Sequence, residues 1–440
     1  MPDSCELVKG VRTMSKLFVL LASIGLAFTA FADAPEIREG SVKLYRPDGR
    51  NVVYVDYILD GAPGIVTAEV YLQDKPLGLV RLQNATGDVS RVVGTGPRRI
   101  VWNAAADYPD RVFTNAMVLV KAWATNAPPD FLAVDLSASG AAEALRWYDG
   151  AENVPGGITN RRYKTSKLLM RKIPAAGVTW IMGSPTLPTP EPGRTANAET
   201  PHYVTFTEDY YMGVYPVTAG QYELVMGSLP KNADVKVAPI PEDAELHPVS
   251  GVSYGEQNDD RPHFLRSGNW PASTAHTVLS LGFLGKMQAL SGGIEFDLPT
   301  STQWEYACRA GSGEAVYGGY SATEVAWCSA ETNRTVAVGL KKPNAYDLYD
   351  MLGNVWEWCV DIYPNNISAT PVTDAPQIDP VGITYEESGY TAANQVKRQR
   401  RGSNYTSSVA DMRAALSSGR SITGRDQMLG FRVFCPAMAR

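Results

Sequence analysis

At roughly 100–200 residues per domain, a chain of 440 residues holds two or three domains. Its 44% hydrophobic and 20% charged residues are the mixture of an ordinary globular protein, which excludes a mainly disordered or collagen-like chain. The 40 basic and 46 acidic residues leave a formal net charge of −6, so the chain lacks the strongly basic balance typical of nucleic-acid-binding proteins. We therefore expect no nucleic-acid partner.

Residues 1–32 have the pattern of a secretory signal peptide. Three basic residues precede an apolar run over residues 17–28, and Ala30 and Ala32 form a small-x-small pattern just before the expected cleavage point at Asp33. The run is too short to span a bilayer core of about 30 Å, and no later apolar stretch is long enough, so we expect no membrane-spanning helix. The predicted location is secreted, periplasmic or cell surface. Met14 is a possible start codon, and an uncleaved membrane anchor is the alternative.

Residues 36–136 predict an all-β sandwich of the immunoglobulin-like kind. Runs of β-branched and aromatic residues, separated by Gly- and Pro-containing turns, are typical of short antiparallel strands. The domain contains no histidine or cysteine, which favours a spacer or an interaction module. The alternative is a carbohydrate-binding module with Trp102 and Trp123 as stacking platforms. The four expected strands cover residues 52–59, 65–73, 98–103 and 117–125.

Residues 137–177, with their paired glycines and basic residues, predict a linker. Residues 178–438 predict a second domain of the α+β class, rich in loops.

Two helices of this domain have clear start signals. Thr218 with Gln221, and Thr300 with Gln303, match the capping box, in which a hydroxyl and an amide cap each other's backbone donors. The first helix is expected to stop at Gly227. The second is expected to stop at Gly311, and another helix is expected over residues 276–290.

Residues 178–435 also carry a series of short motifs. They are WIMGS (180–184), ETPH (199–202), YMGVYPVT (211–218), HPVSGVSY (247–254), LPT (298–300), QWEYACR (303–309), PN (343–344), LYDMLGNVWEW (348–358), RGS (401–403) and GFR (430–432). In this order the motifs resemble the sulfatase-modifying-factor family, also called formylglycine-generating enzymes. The resemblance implies a C-type-lectin-like fold of the formylglycine-generating type, preceded here by the all-β sandwich.

The resemblance also implies an activity, the oxidation of a sulfatase cysteine with oxygen and copper by a catalytic cysteine pair. In the family this pair lies between the RGS-like and GFR motifs, but residues 402–432 of this chain contain no cysteine. Ser407 and Met412 are the nearest counterparts. Because Cu(I) selects soft thiolate ligands, we expect neither copper nor cysteine oxidation and assign no catalytic residue. The candidates for lining the family's substrate groove are Trp356, Ser407, Met412 and Arg413.

A structural calcium ion is the cofactor that the resemblance implies. Its ligands would be the carboxylates of Asp350 and Glu357 and the backbone carbonyls of Gly353 and Val355. Hard oxygen ligands of this kind suit Ca²⁺, and the ion would fix a loop that lacks regular hydrogen bonding.

The cysteines beyond the signal peptide are Cys308, Cys328, Cys359 and Cys435, and four cysteines allow three pairings. No CxxC pair occurs, and the four histidines show no ligand spacing, so no zinc site is expected. The resemblance implies a disulfide between Cys308 and Cys435. Cys328 and Cys359 would then pair or stay free.

Together these features predict a non-catalytic binding protein, a pseudoenzyme whose partner is a peptide, protein or glycan. The alternative is a sulfatase-maturing formylglycine-generating oxidase, or a related metal-dependent oxidase with an altered site. A third possibility is a structural surface protein that displays loops such as the polar insertion at residues 365–397. Iron-dependent relatives hold their metal with histidines of a separate domain, whereas this chain has no histidine before His202.

Overall fold

The computed structural model describes residues 34–438 except 49, 73–81, 110–115, 185–189, 196–197, 232, 235–239, 256–264, 267–277, 365–374, 385–386 and 392–395. The predicted signal peptide lies outside the described residues. Among those that are described, no helix has the length and apolar character needed to cross a bilayer. The chain divides into two compact units, the first formed by Met1–Phe131, Arg146–Ile158 and Met438–Arg440 and the second by Leu132–Leu145 and Thr159–Ala437.

The first unit is an all-β sandwich, as predicted. Its elements are β1 (Glu36–Ile37), β2 (Lys43–Tyr45), β3 (Val53–Asp60), β4 (Gly64–Leu72), β5 (Ala85–Gly87), β6 (Arg91–Val93), β7 (Gly96–Trp102), the short helix α1 (Ala104–Asp107) and β8 (Ala116–Trp123). One sheet has the order β1-β3-β7-β5, with β2 also pairing with β3, and the other has the order β6-β4-β8. All these pairings are antiparallel.

Alternation along the strands builds the core of this sandwich. Val55, Tyr57 and Leu59 of β3 are buried, while the residues between them are half-buried. They pack with Val66 of β4 and Val120 of β8 in one hydrophobic cluster. The four strands expected from the sequence correspond to β3, β4, β7 and β8.

The prediction that Trp102 is a stacking platform for a glycan is wrong. Trp102 is 1% exposed, and its indole Nε1 donates to the Asp107 carboxylate at 2.7 Å. Trp123 is half-buried, and its Nε1 donates to the Thr67 hydroxyl at 2.9 Å. The core therefore uses the large indole of Trp102 for packing.

Residues 137–177 are not a linker. They contain α2 (Ala141–Ala144), β10 (Leu145–Tyr148) and β11 (Lys167–Ile173), and they are divided between the two units. Strand β11 is part of the second unit's sheet, so this unit begins well before residue 178. Burial explains the difference, because Leu168, Leu169 and Met170 are buried.

The second unit is α+β with many short elements. Its largest sheet includes the order β9-β11-β14-β22, and a second sheet has the order β20-β19-β17-β21. Two smaller sheets have the orders β12-β13-β18 and β15-β16. The remaining elements are β9 (Phe131–Asp135), β12 (Thr179–Met182), β13 (His202–Thr205), β14 (Tyr210–Gly213), α3 (Ala219–Met226), α4 (Phe283–Leu290), α5 (Ser301–Arg309), α6 (Ala322–Val325), β15 (Ala326–Trp327), β16 (Leu352–Gly353), β17 (Trp356–Tyr363), β18 (Gln377–Ile378), β19 (Lys397–Arg401), β20 (Ser417–Ser421), β21 (Leu429–Gly430) and β22 (Phe434–Pro436).

Both predicted capping boxes are present, at the starts of α3 and α5. Helix α3 ends at Gly227 in the left-handed conformation, as expected. Helix α5 ends one residue earlier than expected, at Ala310, which adopts φ 46° despite its side chain. The helix predicted over residues 276–290 is shorter, because α4 begins at Phe283; residues 267–277 lie outside the described part of the chain.

Helix α5 is the centre of the second unit. Trp304, Ala307 and Cys308 pack into a hydrophobic cluster with residues of β14, α6, β15 and β17. On its other positions the helix carries Glu305 and Arg309, which are also buried. Buried charge on this helix requires partners from the surrounding loops.

Candidate functional site

A fully buried ion pair of the second unit joins the LYDMLGNVWEW and GFR motifs. Arg432 of the GFR motif donates from Nε and Nη2 to the two oxygens of Glu357, at 3.1 and 3.0 Å. The indole Nε1 of Trp304 donates to the same carboxylate at 2.7 Å. Arg432 also donates to the carbonyls of Gly213 and Tyr349. Neither charged side chain is more than 1% exposed, so this arrangement stabilises the fold from inside.

Glu357 of this ion pair is also one of the predicted calcium ligands. Both Glu357 oxygens accept hydrogen bonds from groups inside the protein, and a cation there would have to displace the Arg432 guanidinium. Asp350 is buried, and it accepts from the backbone N–H of Gly339 at 2.7 Å. Gly353 lies in β16, followed by the buried Val355. In this arrangement the Glu357 carboxylate is engaged by Arg432 and Trp304, and calcium binding at the four residues stays a prediction.

A second buried network surrounds Glu305 of α5. Arg309 donates to the Glu305 carboxylate at 2.9 Å, and Arg401 of the RGS motif lies 3.1 Å from its other oxygen. Arg401 also donates to the Ser301 hydroxyl at 2.7 Å and to the Ala415 carbonyl at 2.8 Å. Arg401 of the RGS motif thus connects α5 to the segment that follows β19 through hydrogen bonds.

Two of the residues predicted to line the groove, Met412 and Arg413, lie inside the protein. Met412 is fully buried in the hydrophobic cluster around α5, so the prediction that it lines a groove is wrong. Arg413 is also buried, and its guanidinium donates to both oxygens of Glu199, at 2.6 and 2.9 Å. Desolvation and this ion pair make Arg413 a structural anchor rather than a ligand contact. The Arg413 guanidinium also donates to the Glu191 carboxylate at 3.1 Å.

Hydroxyl groups occupy the part of this segment that reaches the surface. Ser407 is half-buried, while Thr406 and Ser408 are exposed. The Ser407 carbonyl accepts from the N–H of Ser329 at 3.0 Å, and the Asn404 side chain accepts from Thr406, which fixes the turn. Oxygen donors of this kind do not fit Cu(I), which takes thiolate ligands.

Half-buried Arg400, Asp426 and Met428 and exposed Thr406 lie beside this turn around the Trp356 ring, which is itself buried at 6% exposure. The Arg400 guanidinium carbon lies 4.6 Å from the centre of the Trp356 ring, and Asp426 lies 3.8 Å from Arg400. The Thr406 hydroxyl contacts the Met428 sulfur at 3.7 Å, and the Met428 carbonyl accepts from the Trp356 N–H. We call Trp356, Arg400, Thr406, Asp426 and Met428 the Trp356 surface. Partial burial lowers the pKa of Arg400 to about 10, so the group stays charged at neutral pH.

None of the four cysteines after residue 32 reaches this surface. All four are buried free thiols, so the predicted disulfide between Cys308 and Cys435 is wrong. Cys308 belongs to the cluster around α5, and Phe434 of β22 packs on that cluster. Since adjacent strand residues face opposite sides, Cys435 points away from Cys308. Burial raises the pKa of the Cys308, Cys359 and Cys435 thiols, which makes them poor nucleophiles and metal ligands.

The structure also shows a pocket of about 200 Å³ that the sequence did not suggest. It lies at the start of α5, where Asp361 accepts the N–H of Ser301 at 2.6 Å. Burial raises the pKa of Asp361 to about 6. Gly382 and Ile383 of the predicted display insertion line this pocket, so part of that insertion is packed against the domain. Nothing in the sequence around Asp361, the acidic residue directly after WEWCV (356–360), indicated that it lines a pocket.

One catalytic-looking motif is structural. Residues 251–255 read GVSYG and match the G-x-S-x-G pattern of hydrolases. Ser253 is fully buried, whereas a hydrolase nucleophile must be exposed at a strand-to-helix turn. The motif therefore gives no hydrolase site.

Among the described residues, no group of three or more His, Cys, Asp and Glu side chains is placed to hold a metal ion.

Comparison with known proteins places this architecture in a family. The model of the sulfatase-modifying factor enzyme 1-like domain matches residues 171–436. The formylglycine-generating enzyme of Mus musculus is 25% identical over 263 residues, which cover 51% of this chain and 66% of the relative. That of Thermomonospora curvata is 34% identical over 109 residues, covering 19% and 33%. A serine/threonine-protein kinase, pkn1 of Chlamydia pneumoniae, is 35% identical over 96 residues, covering 21% and 15%.

The chain thus spans less than two thirds of the length of these relatives. Among solved structures, the Treponema denticola variable protein 1 is similar with a TM-score of 0.43 and 23% identity, over 61% of this chain and 95% of that one. PvdO from Pseudomonas aeruginosa is similar with a TM-score of 0.44 and 23% identity, over 61% and 94%. Because the family model covers more than half of the chain, the protein belongs to the sulfatase-modifying-factor family, whose best-known members are the formylglycine-generating enzymes.

Proposed function

We propose that the second unit is a non-catalytic binding domain for a peptide, protein or glycan. The observation that carries the proposal is the chemistry of residues 402–432, which contain no cysteine and expose hydroxyl groups at Thr406 and Ser408. A hydroxyl cannot replace the thiolate that Cu(I) selects. The four described cysteines are buried in other parts of the fold and cannot supply it.

The Trp356 surface is the place where we propose that the partner binds. It combines an indole, a guanidinium, a thioether and a hydroxyl within one contiguous set of contacts. Arg is among the side chains that contribute most often to binding hot spots, and the buried Trp356 ring packs against the half-buried Arg400 guanidinium. The pairing of Arg400 with Trp356 and Asp426 holds these groups in place before a partner arrives, which lowers the entropic cost of binding.

We propose that the chain that carries this domain is exported to the envelope, the cell surface or the medium. The proposal rests on the signal-peptide pattern of residues 1–32. Mass spectrometry of the protein from its native host would give a mature chain that begins near residue 33. A chain that retains residues 1–32 would contradict cleavage and would support the membrane-anchor alternative.

Titration with Cu(I) tests the proposed function at the site itself. The folded chain is titrated in competition with a Cu(I)-specific chelator under anaerobic conditions, with an active formylglycine-generating enzyme as the control. We expect no transfer of copper from the chelator to this chain, because every cysteine in the described part of the chain is buried. Stoichiometric capture of one Cu(I) would contradict the proposal and favour the alternative, an oxidase with an altered metal site.

A further inference from the structure

The first unit contains a cavity of about 170 Å³ that is partly open to solvent and whose wall is mainly polar. Nine of its fifteen lining residues carry a polar side chain. They come from β4, β5, β6 and β10 and from the segments next to β5 and β10. The polar lining residues are Thr67, Gln83, Thr86, Ser90, Arg91, Arg146, Tyr148, Asp149 and Asn153.

One side of the cavity is fixed by a buried hydrogen-bond network. Lys121 donates to Glu69 at 2.7 Å and to Asp149 at 2.9 Å, and the Asn153 amide donates to the same two carboxylates at 3.2 and 2.9 Å. The Asp149 side chain is 1% exposed and that of Glu69 is 7% exposed. The polar groups of this wall are therefore held in one geometry without a ligand, as a preformed binding site requires.

The charges around the cavity are compensated within the protein. Arg91 forms an ion pair with Asp88 at 2.8 Å, and Lys121 sits between its two carboxylates. No uncompensated charge of this set calls for an ionic ligand.

The volume limits the size of that ligand. A cavity of about 170 Å³ has room for five or six water molecules at about 30 Å³ each. An engineered cavity of about 150 Å³ accepts benzene, so the cavity here suits a single small ring. A nucleotide or a peptide segment would be too large to enter as a whole.

We propose that this cavity binds one neutral sugar residue, either free or as the end of a glycan. Each sugar hydroxyl both donates and accepts, and the wall offers donors from Arg91 and Arg146 and acceptors from Asp149 and Gln83. Tyr148 adds an aromatic side chain, on which the apolar face of a pyranose can pack. The proposal moves a glycan site from the buried Trp102 to a different part of the same unit, and it is independent of the function proposed for the second unit.

Titration of the full exported chain with neutral monosaccharides tests the proposal. The probes are D-glucose, D-galactose, D-mannose and N-acetyl-D-glucosamine, followed by ligand-observed NMR and calorimetry, with D-glucuronate as the charged comparison. For a ligand of this size we expect a Kd on the order of 1 mM for at least one neutral sugar. Binding of none of the four sugars would overturn the proposal, and so would a clear preference for glucuronate.

A pair of variants locates the site. Thr86→Trp places a large side chain at an exposed position of the cavity wall and leaves the buried network intact. Thr95→Trp makes the same change at an exposed turn that is not part of the wall. We expect at least tenfold weaker sugar binding for Thr86→Trp, wild-type binding for Thr95→Trp, and unchanged thermal unfolding for both. Equal binding by Thr86→Trp and wild type would overturn the placement in this cavity.

Discussion

Replacement of Glu357 by alanine should destabilise the second unit strongly, whether or not calcium is present. The change leaves the Arg432 guanidinium, which is fully buried, without its counter-charge. Arg432 keeps its bonds to the Gly213 and Tyr349 carbonyls, but Trp304 loses the acceptor of its indole N–H. Breaking a buried ion pair from one side typically costs about 3–5 kcal/mol. At about 2–4 °C per kcal/mol for a domain of this size, Tm should fall by about 6–20 °C.

Calorimetric melts of wild type, Glu357→Ala and Glu357→Gln, each with calcium and with a chelator, measure this effect. Glu223→Ala is the matched control, because Glu223 is exposed on α3 and its loss should change Tm little. We expect the same loss for Glu357→Ala in both solutions. A loss seen only with calcium would refute the ion-pair reasoning and establish the calcium site. A loss of less than about 1 kcal/mol in both would show that the pair is not desolvated.

Three further predictions concern other parts of the second unit. Thr300→Ala removes one half of the α5 capping box and should cost about 1 kcal/mol in a denaturant melt; no change would mean that the cap is redundant. Burial raises the pKa of Asp361 from 3.8 to about 6, so the folded chain binds more protons than the unfolded chain between these values and loses stability as the pH rises through them. The stability of Asp361→Asn relative to wild type should therefore increase from pH 4 to pH 7, by up to about 3 kcal/mol, and a pH-independent difference would contradict this. The chain without residues 1–32 should show no reactive thiol when folded and four when unfolded in a thiol-reagent assay; two missing thiols would indicate a disulfide.

Local signals in the sequence predicted the elements that depend on local chemistry. The capping boxes of Thr218 and Thr300 and the stop at Gly227 are short-range hydrogen-bond and backbone effects, and they appear where the motifs placed them. The sandwich strands follow from alternation over neighbouring residues. The fold of the second unit was predicted from the order of its motifs, because no single motif specifies that fold.

Ion pairs between residues far apart in the sequence could not be predicted from such local signals. Arg413 finds Glu199 more than 200 positions away, and Arg432 finds Glu357, so spacing within a motif could not separate a ligand from a salt-bridge partner. Met412 looked like a groove residue because it lies near the position of a catalytic cysteine, but the cluster around α5 takes its side chain. The linker prediction was wrong because it was based on the basic residues near position 161, whereas a buried strand, β11, begins a few residues later.

Incubation with a substrate peptide tests the central claim most directly. The purified chain without residues 1–32 is mixed with a sulfatase-type cysteine peptide, Cu(I), calcium and oxygen, and the peptide mass is followed over time beside an active formylglycine-generating enzyme. A binding domain without catalytic thiols leaves the peptide mass unchanged while the control enzyme converts it. Appearance of the aldehyde product in the sample of this chain would contradict the account, and a ligand set other than thiolate would then have to hold the metal.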